Sequence, residues 1–534
     1  MNTTSILGCA IRGTVGLAAF VVAVAVVGRG SVAIAQAASQ FTWGPCPETP
    51  TPIPELETAR CGQLTVPENR SRPTGRTISL SVAIIPAASP QPKPDPIVWL
   101  AGGPGDDAVL EIPLALKPND IRSDLNRDRD VIFMSQRGTF TAQPRLTCPE
   151  VDRFPAETLD QPYDAPETGR AFAKATAECR RRLKALGVDL SAYNTIESAN
   201  DLADLRIALG IDEWNIYGIS YGTDHALTYM RMHPQGIRAV GIDGIFPPPL
   251  AGGVAAWTSA GEGINAVFRA CSEQTPCRER YGDLGATFRR LVEHFERHPR
   301  TVQVSTGQGI EPHFIVPDVP EPVNVMISGG MLVQWTASPG THIAAKVPAA
   351  IDALAHGDAT PIAASWAAVK LNPASIGILG NGLYYGVSCG EWVPYESARS
   401  VIAAGRRAFP TFPLSVHRNA PNLQFMRSNC VVWNVPPVSS SIRDITESSI
   451  PTLVISAQYD AQTAPSFGPL VARTLTNSTV VEIPNVAHVA FGSPSLDANA
   501  CAHSIVRDFF EVLNEVDTSC TTRVPPTDFE ITPR

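Results

Sequence analysis

No long run of lysine and arginine occurs in this 534-residue sequence: 42 basic side chains, only six of them lysine, are mostly scattered, and 51 acidic ones leave a net charge of −9. A nucleic-acid partner needs a concentrated basic face, so the acidic balance argues against nucleic acid as the main partner. No C-x-x-C pair occurs either, which leaves zinc-finger and thioredoxin-like chemistry without a motif. No uninterrupted apolar run reaches the roughly 20 residues of a membrane-spanning helix; the stretch 15–27 is shorter, and Arg29 follows it. Internal repeats and low-complexity tracts are missing as well. Aromatic residues are only 7%, but a 44% hydrophobic content is that of a globular chain and too high for a disordered one. Proline is the excess, with 48 residues. That predicts many stiff loops and disfavours a helical bundle.

Residues 1–36 read as a secretory signal peptide. Arg12 precedes the apolar stretch, and the small residues Ala33, Ala35 and Ala37 follow it. Cleavage near Ala35 or Ala37 would leave an acidic, exported chain, secreted or held in the cell envelope, with no stable membrane span. The cysteines agree with export. Of eleven, Cys9 falls in the leader and ten remain, an even number in a compartment where disulfides persist. Spacing favours the pairs Cys46–Cys61, Cys148–Cys179, Cys271–Cys277, Cys389–Cys430 and Cys501–Cys520, among the connectivities that sequence leaves open.

Short β-like runs at 78–87, 95–103, 129–138, 214–220 and 237–244 alternate with helical patterns at 168–186, 198–209 and 221–232. The rhythm returns with strands at 451–460 and 478–484 and a helix over 496–514. Apolar strands alternating with amphipathic helices imply an α/β fold with a mostly parallel sheet covered on both faces. From about 246 to 445 the alternation is lost. The economical division is one α/β domain in two parts, 37–245 and 446–534, interrupted by a large inserted cap over 246–445.

At the end of the strand 214–220 stands Gly218-Ile219-Ser220-Tyr221-Gly222. A G-x-S-x-G between an apolar strand and a helix is a nucleophile elbow, whose sharp turn lifts the serine hydroxyl clear of the sheet. A serine needs a base to take its proton. His488, on a loop just after the strand 478–484, is the candidate; His225 and His503 fall inside helices, and most of the remaining histidines fall in the cap. Asp460, at the end of the strand 451–460, is the candidate for orienting the imidazole. Asp243, after the strand 237–242, is its rival. The order Ser220, Asp460, His488 is that of α/β-hydrolases. Two backbone N–H groups would complete the site as an oxyanion hole. One is Tyr221, next to the nucleophile. The other comes from Ala101-Gly102-Gly103-Pro104-Gly105, with Gly102 and Gly103 as donors. That loop has neither the dinucleotide nor the P-loop pattern.

The segments CGQLTVPENRSRP (61–73), WLAGGPG (99–105), SQRGT (135–139) and GISYGT (218–223), with the Asp460 and His488 segments, resemble secreted α/β-hydrolases of the prolyl-aminopeptidase and tripeptidyl-aminopeptidase type, the TAP-like group. The resemblance spans nearly all the chain beyond the leader and is weakest across the cap. It implies hydrolysis of peptides from the free N-terminus without metal or cofactor. Ala101 stands where the prolyl enzymes usually have histidine, and FTAQP (140–144) where the family usually shows G-x-S; both departures bear on substrate choice. Cap carboxylates grip the substrate ammonium in this family, and Glu391, beside Trp392, is the candidate for that role. Arg137 reads as a structural ion-pair partner, and Asp106 and Asp107 as an acidic loop at the cleft mouth. The expected activity is a serine aminopeptidase. The alternative, with a peptide substrate exchanged for an ester, is a carboxylesterase or lipase using the same three residues. A catalytically silent envelope-binding protein is the third reading.

Overall fold

A computed structural model of the chain describes residues 39–116, 125–305, 322–337, 344–371, 376–513 and 515–533. The expected leader, 1–36, lies outside the described residues.

Unbroken apolar runs such as IVWL and VIFM leave no polar face to present to water. They form β4 (Ile97–Leu100) and β5 (Val131–Met134), buried along their whole length, as strands with helices on both sides must be. Seven further strands join them: β1 (Gln40–Trp43), β2 (Arg60–Pro67), β3 (Thr77–Ile85), β6 (Trp214–Ile219), β7 (Ile237–Asp243), β10 (Thr452–Ala457) and β11 (Ser478–Ile483). The nine-stranded order is β1-β2-β3-β5-β4-β6-β7-β10-β11. From β5 to β11 neighbouring strands are parallel, and β1, β2 and β3 add an antiparallel edge. β1 and β2 were hidden in the Pro-rich start. β1 is mostly exposed, so it lacks an apolar signature, and Pro67 stands at the end of β2, where a missing N–H is tolerated.

The strand pleat sorts side chains to two apolar clusters. Val98, Leu100, Ile132, Met134 and Ile216 face one side with the helices Thr195–Ala208 and Tyr221–Met232. Ile97, Trp99, Val131, Phe133 and Tyr217 face the other, under the helix Leu496–Val512. A third cluster gathers Trp257, Trp335 and Trp366 with the two-stranded antiparallel sheet of β8 (Arg300–Val304) and β9 (Val323–Ile327). Between β7 and β10 the described residues add no strand to the large sheet. That stretch nevertheless divides between two cores. Trp392, Cys430 and Trp433 belong to the cluster on the sheet, not to the one around Trp257. All five expected cysteine pairs are joined. Among the described residues no helix is long and apolar enough to cross a membrane, and no cluster of histidine, cysteine and carboxylate is arranged to hold a metal ion.

Candidate active site

β6 ends at Ile219 and a helix begins at Tyr221, so Ser220 alone turns the chain. Its backbone, at φ 52° and ψ −125°, is one that L-residues rarely adopt. Glycine is required on both sides of it. A β-carbon on Gly218 would lie 2.5 Å from the carbonyl oxygen of Gly222. Register keeps the turn at the sheet's C-terminal edge: Leu100 pairs with Gly218, Ile219 with Asp243, and Asp243 with Ile455. The Ser220 N–H donates to the Asp243 carbonyl at 2.9 Å.

Asp460 stands three residues beyond β10 and His488 five beyond β11. Asp460 is fully buried, and its Oδ1 accepts the N–H groups of Gln462 and Thr463, each at 2.8 Å. Its Oδ2 accepts from the Thr463 hydroxyl at 2.7 Å and from His488 Nδ1 at 2.8 Å. With the Nδ1 proton so engaged, Nε2 is left as the acceptor and lies 2.9 Å from Ser220 Oγ. The rival Asp243 has another task. Its carboxyl accepts the N–H groups of Ala490 at 3.1 Å and Phe491 at 2.8 Å, so it holds the loop that follows His488 rather than the imidazole. Thr463, which touches both Asp460 and His488, was not singled out from the sequence; the Asp-x-x-Thr spacing of a side-chain-capped turn was the available signal.

Burial alone would push the His488 imidazole down, but the Asp460 carboxylate against it, with Asp243 and Asp106 nearby, leaves its pKa raised. Burial and the adjacent Asp107 push Asp106 up to about 6. Burial also raises Asp243 to about 6, against the N–H groups it accepts.

The glycine loop passes close to the nucleophile: a β-carbon on Gly102 would be 3.1 Å from Ser220 Cβ. Gly103, at φ 101°, lines the cleft. The two expected donors separate here. The Glu111 carboxyl, which accepts Trp99 Nε1 at 2.6 Å, lies close to the Gly102 N–H. Gly103 and Tyr221 line the cleft, whereas Gly102 is not among its lining residues. Asp107 is not at the cleft mouth but buried, accepting from Val109, Ser135, Thr139 and Thr141. Arg137 is fully buried, with two guanidinium nitrogens on Asp201 at 2.7 and 2.8 Å and the third donating to the carbonyls of both Glu68 and Ala192. Both residues brace the SQRGT segment beneath the loop.

The cleft beside Ser220 measures about 120 Å³ and is walled by Phe246, Tyr384, Trp392 and Leu423, with Asn422, Gln462 and Thr463 as polar members. Glu391 is not among them. It is 2% exposed, its Oε1 accepts the Thr195 N–H and its Oε2 the Thr195 hydroxyl, both at 2.7 Å. Burial and the nearby Asp224 push it up to about 8. A buried carboxyl with both oxygens occupied by Thr195 and no place in the cleft cannot grip an ammonium, so the sequence reading of Glu391 as the ammonium anchor is corrected. His225 is a buried residue of the elbow helix itself, and His503 stacks on Phe491.

Comparison with known proteins agrees with this arrangement. The alpha/beta hydrolase fold family matches residues 95–260, and the TAP-like protein family matches 419–520. Serine protease Hip1 of Mycobacterium tuberculosis is 23% identical over 484 residues, covering 84% of this chain and 86% of that protein. Tripeptidyl aminopeptidase of Streptomyces lividans is 26% identical over 231 residues, 41% of each chain. Carboxylesterase B of M. tuberculosis is 27% identical over 220 residues, 40% of this chain and 41% of that one. The chain is similar to the TAP-like α/β hydrolases and is a serine hydrolase.

Proposed function

We propose that this chain is an exported serine peptidase acting from the free N-terminus of its substrate, with Ser220 as nucleophile, His488 as general base and Asp460 as the orienting carboxylate. One observation carries the reading: a single imidazole bridges Ser220 Oγ at 2.9 Å and Asp460 Oδ2 at 2.8 Å. Ser220 Oγ attacks the scissile carbonyl while His488 Nε2 takes its proton. The Tyr221 and Gly103 N–H groups receive the developing oxyanion. His488 returns the proton to the leaving amine, and a water then attacks the acyl-enzyme by the same route. The relatives named for protease and aminopeptidase activity support a peptide as substrate. Five disulfides support an extracytoplasmic place for the chain, with the stretch over 246–445 acting as the lid of the cleft.

A second reading, a carboxylesterase, has its own support. No carboxylate is among the residues lining the cleft beside Ser220, and its walls are largely apolar; one relative is named as an esterase. Rates on free and N-blocked peptide p-nitroanilides, set beside short and long acyl esters, separate the two. Cleavage confined to free peptides supports the aminopeptidase; equal cleavage of blocked peptides overturns it, and ester turnover alone favours the esterase.

A further inference from the structure

Tyr221 faces two ways. Its backbone N–H is the first of the helix Tyr221–Met232, beside Ser220, while its side chain runs back into the core and is 2% exposed. The phenol lies 2.7 Å from Thr195 Oγ1, and Thr195 gives its N–H and its hydroxyl to the two oxygens of Glu391. Three residues far apart in sequence thus form one buried polar chain that ends at the residue next to the nucleophile.

We propose that Glu391 is a positioning residue for hydrolysis: through Thr195 it anchors the Tyr221 ring, and so holds the Tyr221 N–H where negative charge develops on the substrate carbonyl. The inference rests on the reading of Ser220 as nucleophile and Tyr221 as oxyanion donor.

Each link has a physical reason. Thr195 opens the helix Thr195–Ala208, so its N–H has no acceptor within that helix, and a carboxyl at that end satisfies it. The Thr195 hydroxyl has one proton; when it is donated to Glu391, the oxygen accepts from the Tyr221 phenol. If Glu391 is protonated, both hydroxyls can reverse and the chain stays closed. Glu391 is itself fixed, because the segment Ser388–Trp392 is tied to the helix Met426–Trp433 by Cys389–Cys430. Asp224, three residues beyond Tyr221, is buried and close enough to raise Glu391 further. Removing the Glu391 carboxyl would leave the Thr195 donors and the Tyr221 phenol to find new partners in a dry interior. The N–H one residue from a strained turn would then shift. Misplacement by about 1 Å is worth as much as 10²-fold in rate.

The test compares Glu391→Leu, Glu391→Gln, Thr195→Val and Tyr221→Phe with the parent on a short p-nitrophenyl ester, each checked by thermal unfolding. Inhibition is read with a trifluoromethyl ketone, whose adduct on a serine nucleophile carries an oxyanion. Glu391→Leu is expected to lower kcat by about 10- to 100-fold with KM within about twofold. Trifluoromethyl ketone affinity should fall in proportion to kcat. Glu391→Gln, which keeps both contacts with reversed polarity at one, should recover most of the loss. Thr195→Val and Tyr221→Phe should each lower kcat, and neither should add to Glu391→Leu in a double variant. Should Glu391→Leu not fold, Tyr221→Phe alone decides. The proposal is overturned if Tyr221→Phe keeps full kcat and full ketone affinity, or if kcat losses track unfolding temperature and the glutamine does not rescue. Ser220→Ala separates the two layers: full activity there removes the underlying reading, whereas an inactive Ser220→Ala beside an unimpaired Tyr221→Phe removes only this inference.

Discussion

A β-carbon on Gly222 would lie 2.2 Å from the carbonyl oxygen of Leu100, the last residue of β4. The elbow helix therefore packs against the neighbouring strand's backbone, which cannot move aside as a side chain can. Gly222→Ala is expected to be destabilised by about 3 kcal/mol or more and to lose the serine's alignment. Thermal unfolding, with active-site titration of whatever folds, checks it.

Thr463 ties the orienting carboxylate to the imidazole, at 2.7 Å from Asp460 Oδ2 and 3.2 Å from His488 Nδ1. Thr463→Val keeps the shape and removes the hydroxyl. The loss should appear in kcat, about tenfold for one charge-assisted hydrogen bond of roughly 1.5 kcal/mol, with little change in KM. Thr463→Ser should restore most of it.

A base works only when neutral, so activity should rise with pH through the His488 pKa. Because that pKa is raised from its ordinary 6.5, the midpoint of the acid limb of kcat/KM is expected above 6.5. Asp106 is one of the carboxyls that hold it up. Asp106→Asn should move the acid limb to lower pH while leaving the enzyme active, and a pH-rate profile of the two proteins reads the shift.

Stability should run the other way. Burial raises Asp224 to about 7 and Glu391 to about 8, whereas in the unfolded chain such acids titrate near 4. Between those values the folded state holds the extra protons, so stability is greatest at the acid end of the window and is lost as pH rises through about 7 to 8. Unfolding temperatures measured across that window should fall with pH, and less steeply in Asp224→Asn.

The strand ends were the most legible part of the sequence. Ser220, Asp460 and His488 each stand at or shortly beyond the end of a strand rich in apolar and β-branched residues, β6, β10 and β11, and parallel register brings such ends to one edge. Near neighbours among the cysteines were legible for the same local reason. Contacts set by tertiary packing were not. Thr195 and Glu391 are 196 residues apart, and nothing local marks either as the other's partner, so Glu391 read as a free anion. Gly102 and Gly103 look alike as letters; only the folded loop puts Gly103, and not Gly102, on the cleft wall. The tryptophans of the stretch 246–445 gave no hint that Trp392 and Trp433 pack with the sheet while Trp257 does not.

Labelling with a fluorophosphonate, which reacts with a serine only when a base activates it, tests the central claim most directly. The expected result is one label per chain on the peptide that holds Ser220, absent from Ser220→Ala and His488→Ala, with hydrolysis in both variants down by at least about 10³-fold. Label on another serine, or undiminished hydrolysis by Ser220→Ala, would contradict it.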